Sequence, residues 1–241
     1  MIELDAPDWW VQVPVLSGSS IRVREVEAAD AAALLELFND MRVNHHLSPP
    51  PSTLTQFEGF IEWARRQRES GKCVCFVVVP TGLQQPIGLF QLRALEAEFN
   101  VAEWGFAMAP SFWSTGLFEQ AATLVAEFAF AIGVTRIEAR AAVENNRANR
   151  ALEKIGAKGE ALLRKAFKRN EPQFLWAIVA DDWPATKAPL STPFEAARIR
   201  SQISRAIAEL PVAPRTVKHA WAPPPFPFFL TQTADDPPEE K

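Results

Sequence analysis

The chain has 241 residues, 48% of them hydrophobic and 22% charged, the balance of a globular protein with a core to bury. A formal net charge of -4 argues against a general nucleic-acid binder, which needs a basic face. The opening MIELDAPDWW lacks the basic start and apolar run of a signal peptide, and no apolar stretch approaches the ~20 residues of a membrane helix, so a cytoplasmic protein without a membrane partner is expected.

The first strand is expected at Ile21-Arg22-Val23-Arg24, an alternation that ends at Glu25. Asp30 then caps a helix carrying Leu34, Leu37, Phe38 and Met41 at helical spacing. The loop from Asn44 to Ser52 holds His45, His46 and three consecutive prolines. Thr53 and Gln56 form a capping-box pair that opens a second helix, with Leu54, Phe57, Ile61 and Ala64 as its buried stripe and Gly71 as its stop. Cys73 to Val79 is a β-rich run. Its two thiols, Cys73 and Cys75, exclude a disulfide scaffold and suggest a reducing compartment. Pro86 to Leu95 and Asn100 to Ala109 continue as an antiparallel meander, which Pro110 breaks.

Gly116 leads into a long helix with Leu117, Ala121, Leu124, Val125, Phe128 and Ile132 on one face, closed by Gly133. Arg136 to Val143 reads as a strand, Asn146 to Gly156 as a short helix, and Gln173 to Ala180 as the last strand. The order β-α-α-β-β-β-α-β-α-β is neither a repeated βαβ nor all-β. It specifies an α+β fold, a mixed and mainly antiparallel sheet with helices on both faces.

Eleven of the 20 prolines fall after Trp183, which divides the chain into a domain over residues 15–183 and a Pro-rich extension over 184–241. Within the extension, Thr192-Pro193-Phe194-Glu195 opens an amphipathic helix over about 193–210. The aromatic and proline-rich run from Trp221 to Leu230 is expected to dock, on its own domain or on a second subunit, which leaves a homodimer open.

The stretch Met108-Ala109-Pro110-Ser111-Phe112-Trp113-Ser114-Thr115-Gly116-Leu117-Phe118 ends a strand, turns on a glycine and begins a helix. A helix start offers unpaired N–H groups and the positive end of the macrodipole, a place for phosphate that needs no basic side chain. One glycine in a strand-to-helix turn also fits an ordinary turn.

Downstream, the run from Asn145 through Asn146, Asn149, Glu153 and Lys154 to Gly156-Ala157 resembles the Asn-x-x-Ser…Glu-Lys-x-Gly-Phe element of the GNAT superfamily of N-acetyltransferases. The upstream stretch then resembles that superfamily's pyrophosphate loop, with Trp113 at its first position and Gly116 at its fourth. The RimJ/RimL-like branch is the most similar. Pro86-Ile87-Gly88, Ala102-Glu103-Trp104-Gly105 and Asp182-Trp183 agree with it, over roughly residues 20–183. Ser114, Phe118, Asn149 and Ala157 depart from the usual residues, and the ring of Phe118 either crowds the phosphate site or points to the core.

The resemblance implies a GNAT-like fold and a ternary complex in which a primary amine, on a protein N-terminus or a small molecule, attacks the thioester of acetyl-CoA. It implies that the strand before the loop splays from the Arg136–Val143 strand. Met108, Trp113, Ser114, Thr115, Gly116, Leu117, Phe118, Asn146 and Asn149 then bind the cofactor. The Met108 N–H polarises the thioester carbonyl, and the hydroxyls of Ser114 and Thr115 add donors for phosphate. Glu103 is the candidate base; the alternative is a structural carboxylate paired with an Arg across the sheet. Asn149 is the candidate to orient a water on the departing thiolate, because the chain has no tyrosine to act as acid. A reading of another class is a non-catalytic acyl-CoA-binding or interaction module that kept the fold.

Other signals are bland. His45 and His46 read first as a solvated loop pair. Cys73 and Cys75, on one face of a strand without a second ligand pair, read as core rather than zinc ligands, so no metal is expected. Arg164, Lys165, Lys168 and Arg169 form a basic cluster of a kind that attracts an anionic substrate.

Overall fold

The computed structural model describes residues 9–166 and 171–183. The extension, with its expected helix over about 193–210 and its run from Trp221 to Leu230, lies outside the described residues, as do Lys168 and Arg169.

A two-residue strand β1 (Leu16–Ser17) pairs with β2 (Ile21–Glu25), where the alternation of Ile21 and Val23 buries one face. Helix α1 (Ala31–Asn39) follows, but Asp30 does not cap it by side chain as expected. Its carboxylate instead receives both terminal nitrogens of Arg24 at 2.8 Å and the Glu27 N–H at 2.9 Å. The ion pair to a buried acid outcompetes the cap, because it satisfies the charge directly. The helix also ends before Met41: Asp40 is extended and caps a new turn, α2 (Met41–Asn44), which leaves Met41 exposed rather than buried.

Helix α3 (Leu54–Glu69) opens on Thr53, whose Oγ1 accepts the Gln56 N–H. Gln56 closes the box one residue early, accepting from the N–H of Ser52. Phe57, Phe60, Ile61 and Ala64 form its buried stripe, and Gly71 at φ +69 ends it.

Strands β3 (Cys73–Pro80), β4 (Gly88–Ala94) and β5 (Val101–Met108) make the meander. β3 is buried on both faces, because α1 and α3 cover one and α4 (Leu117–Ala131) covers the other. β6 (Arg136–Ala142), α5 (Asn146–Lys154) and β8 (Gln173–Val179) lie where the sequence places them. Between the last two runs β7 (Lys158–Leu163), an edge strand not expected from the sequence. The sheet order is β1-β2-β3-β4-β5-β6-β8-β7, antiparallel at every step except β5–β6.

That parallel pair positions the site. β5 and β6 are in register at three positions, Val101 with Arg136, Ala102 with Ile137, and Glu103 with Glu138. Beyond Glu103, β5 stays on β4 to Met108 and β6 stays on β8 to Ala142, but among the described residues the two no longer pair with each other. The expected splay is present. Each strand keeps its outer partner, so the backbone loses hydrogen bonds on the inner side alone.

Candidate active site

The ladder fixes what β5 shows to the gap. The Ala109 N–H donates to the Ile87 carbonyl at 2.8 Å, on the β4 side. Backbone groups alternate in an antiparallel pair, so the N–H and C=O of Met108 turn the other way, into the gap. The indole of Trp113 donates to the Met108 carbonyl at 2.8 Å, and the Met108 N–H faces the gap beside it. Gly88 lies opposite Met108, and a Cβ there would stand 2.8 Å from the Ala107 carbonyl. Gly88→Ala should therefore push β5 off its line, with a stability loss of about 1–3 kcal/mol by chemical denaturation and a parallel fall in turnover.

After one 3-10 turn at Pro110–Phe112 the chain reaches α4 through two left-handed residues, Ser114 at φ 62 and Gly116 at φ 84. Gly116 is the N-cap of α4 and brings no side chain to its amides; the Leu117 N–H is taken by the Thr115 hydroxyl, while Phe118 and Glu119 of the same first turn line the cavity. Ser114 is exposed and lines the cavity. Thr115 does not: its buried hydroxyl donates to the Phe112 carbonyl at 2.7 Å and accepts from Leu117 N–H, bracing the turn. The expectation that this hydroxyl meets phosphate is corrected. The Leu117 side chain is fully buried and its N–H is held by Thr115, so the expected cofactor contact of Leu117 is corrected as well.

Phe118 packs sideways. Its ring stacks on Phe90 at 5.6 Å and meets Phe106 at 4.7 Å, which makes it an apolar wall rather than a plug. A cavity of about 750 Å³ remains beside it, lined from one side by Trp113, Ser114, Gly116 and Phe118.

The facing wall comes from α5, whose N-cap Asn145 accepts the Ala148 N–H at 3.1 Å. Asn146 lines the cavity. So do Arg147, Arg150 and Lys154, to which the sequence reading gave no role, although their spacing puts them on one helical stripe. The Arg147 guanidinium lies 3.9 Å above the Trp113 ring, and Lys154 pairs with Glu119 at 2.6 Å. Asn149 is a further correction. Its amide nitrogen donates to the carbonyls of Ala142 and Val143, and its oxygen accepts from the Trp176 indole at 2.9 Å. With both donors engaged it ties α5 to β6 and β8 and does not orient a water.

Glu103 is 2% exposed at the last paired position before the gap. Arg93 donates to it at 3.2 Å across the sheet, and Arg140, which lines the cavity, approaches it at 3.6 Å. Burial pushes its carboxyl above the ordinary glutamate value, although both arginines pull the other way. The acid thus has the cross-strand arginine of its structural reading and lies behind Arg140, which lines the cavity where Glu103 itself does not.

On the far side of the sheet, Arg42, Val43, His46 and Leu47 close the cavity. His46 is half-buried rather than solvated, its imidazole held below the usual histidine range by burial and by His45, whose ring lies 4.6 Å away. Cys73 and Cys75 are buried, and burial raises the Cys75 thiol well above its ordinary value. Among the described residues no three His, Cys, Asp or Glu gather as a metal site, and no helix is long and apolar enough to cross a membrane.

Residues 20–158 match the model of the acetyltransferase (GNAT) domain. The uncharacterized N-acetyltransferase YoaA of Bacillus subtilis is 24% identical over 159 residues, 65% of this chain and 90% of that protein. Two solved structures share the fold, each with a TM-score of 0.63. One is RimJ of Mycobacterium smegmatis in complex with CoA-disulfide, 21% identical, covering 78% of this chain and 90% of that one. The other is the ribosomal-protein-S5-alanine acetyltransferase of Vibrio fischeri, 19% identical, covering 70% and 98%.

Proposed function

The chain belongs to the GNAT acetyltransferase family and is an acetyl-CoA-dependent acyltransferase, and on that premise we propose that it moves the acetyl group to the nitrogen of a primary amine held in the gap between β5 and β6. The observation that carries this reading is the parting of those strands beyond Glu103 beside a helix start whose N-cap, Gly116, has no side chain. The first-turn amides of α4, the Ser114 hydroxyl and the basic stripe of Arg147, Arg150 and Lys154 suit the diphosphate and the further phosphate of acetyl-CoA. The gap suits the thiol arm, and Asn146 stands where a pantetheine amide would pass.

The chemistry follows from these placements. The Met108 N–H donates to the thioester oxygen, where negative charge grows as the amine attacks, and so favours the transition state over the ground state. The nitrogen forms its bond to the carbonyl carbon, the C–S bond breaks, and the electron pair leaves on sulfur. The amine must first lose a proton. Glu103, held above the ordinary glutamate range by burial, takes it through a water that reaches the carboxylate beside Arg140. As the C–S bond breaks the nitrogen gives up its second proton, which water carries to the departing thiolate, since the chain has no tyrosine. Structures of this fold described as a ribosomal-protein-S5-alanine acetyltransferase and as a ribosomal L7/L12 alpha-N-protein acetyltransferase make a protein N-terminus the first acceptor to test.

The test has two steps on the full chain. Calorimetric titration should show one acetyl-CoA site, and free thiol should then be released when an amine panel that includes peptides with free N-termini is added. Binding without release on any amine would leave a carrier module instead.

A further inference from the structure

The cavity crosses the sheet, and its two halves differ in kind. Side chains alternate along β5, so Trp104, Phe106 and Met108 face α4 while Glu103 and Ala107 face α1 and α3. Ile137, Ala139 and Ala141 of β6 belong to the α4 face, which puts Arg140 and Ala142 on the other. Gln173, the first residue of β8, lies opposite Ala142 and therefore shares that second face. Val43, His46 and Leu47 complete this half, away from the phosphate-binding elements.

Gln173 is out of place for a structural residue. It is 5% exposed, it lines the cavity, and its Oε1 has no hydrogen-bond partner among the described residues. Buried carbonyl oxygens are nearly always paired, because an unmet acceptor keeps the full cost of leaving water. The guanidinia that share its half of the cavity are committed elsewhere, Arg42 to Asp40 at 2.6 Å and Arg140 to Glu103. An incoming molecule with an N–H would satisfy the oxygen. One with an oxygen in the same place would not.

Register says which part of the molecule that is. The nucleophilic nitrogen belongs beside the Met108 N–H on β5. Gln173 stands on β8, beyond β6, and two strand spacings already put its backbone ~10 Å from β5, to which the parting of β5 and β6 at this level adds. A glutamine side chain covers at most about half of that span, so its oxygen meets a donor some bonds away from the reacting nitrogen.

We infer that Gln173 is a specificity-determining residue of the acceptor site, its Oε1 receiving an amide N–H that neighbours the amine. The acceptor class it selects is the aminoacyl amide, in preference to the corresponding ester. This inference rests on the acetyl-transfer reading of the same cavity, and its test separates the two.

Alaninamide and alanine methyl ester have similar size and similar amine basicity but differ in the N–H. With acetyl-CoA and the full-length chain, kcat/KM should be at least ~10-fold higher for the amide, because the ester leaves the carbonyl oxygen unmet. Gln173→Met keeps the length and removes the acceptor, so the ratio should fall to about one, chiefly through KM, while calorimetric acetyl-CoA affinity stays unchanged. Gln173→Glu keeps an oxygen there and should keep the preference. A wild-type ratio near one, a ratio that survives Gln173→Met, or turnover of neither compound by a chain that binds acetyl-CoA would each overturn the inference. The wild-type ratio decides even if Gln173→Met fails to fold. Failure to bind acetyl-CoA would strike the acetyl-transfer reading itself.

Discussion

Gly116→Asp should weaken acetyl-CoA binding by more than ~100-fold while the fold stays within about 1 kcal/mol of wild type. The residue sits at φ 84 as the N-cap of α4, and Asp is among the few side chains that tolerate the left-handed region and suit a helix N-cap. Its carboxylate would take up the amides now turned to the cavity and stand beside a bound diphosphate. At an effective dielectric near 20, two unit charges ~5 Å apart repel by about 3 kcal/mol, which is already more than two decades in affinity. Gly116→Asn has the same shape without the charge, and its loss should stay under ~10-fold by the same arithmetic. Calorimetric titration of both variants, with denaturant melts as the control for folding, reads the comparison. Equal losses would assign the effect to shape, and an unaffected Asp variant would mean that no anion sits at this turn.

Glu103→Gln should lower kcat by ~10²–10⁴-fold, the usual weight of a positioned base, with acetyl-CoA affinity unchanged. The pH dependence identifies the cause. The base works ionised, and burial raises its pKa, so wild-type kcat/KM should climb through an acid limb that lies above the ordinary glutamate range. That limb should vanish in Glu103→Gln. Stability carries the same signature with a definite sign. A carboxyl whose folded pKa is raised contributes most below its unfolded value, and the contribution is lost as pH rises through the folded value. Wild type should therefore gain on Glu103→Gln in unfolding free energy on going from pH 7 to pH 4. If the residue serves only the Arg93 and Arg140 pairs, the variant will lose stability and keep both its acid limb and its turnover. Glu103→Ala should cost about 1–3 kcal/mol in either case, since it removes the buried carboxylate that Arg93 and Arg140 share.

Much of this arrangement is legible in the residues, for reasons that differ by element. β2 to β6 carry alternation or unbroken β-branched runs, with Pro80 ending β3 and Pro110 following β5, so both their existence and their order can be read. The turn at Gly116 and the stripe on α4 are legible because a positive φ and a 3.6-residue period leave marks in the sequence. β7 leaves none. Nearly all of Lys158–Leu163 is exposed, so no apolar period separates it from loop, and its pairing with β8 defines it. The break at Asp40 is hidden in the same way, because Met41 continues a helical spacing that the chain does not follow.

The site divides likewise. Gly116, Asn146 and Met108 belong to contiguous motifs legible in the sequence, and all three line the cavity. Arg140, His46 and Gln173 come from three separate segments and meet only through the fold, so no local pattern marks them. Asn149 and Thr115 illustrate the opposite error. Residue type and position suggest ligand contact, yet the hydrogen bonds of both side chains go to the protein's own backbone and, for Asn149, to Trp176. Short polar side chains near helix starts are prone to this, because local backbone groups compete for them.

The account rests on one placement, and a crystal of the full chain grown with acetyl-CoA tests it directly. The thioester arm should lie between β5 and β6 with its carbonyl oxygen on the Met108 N–H, and the diphosphate should sit on the amides after Gly116. Density for the ligand outside that gap, or β5 and β6 closed against each other beyond Glu103 with the ligand bound elsewhere, would contradict it.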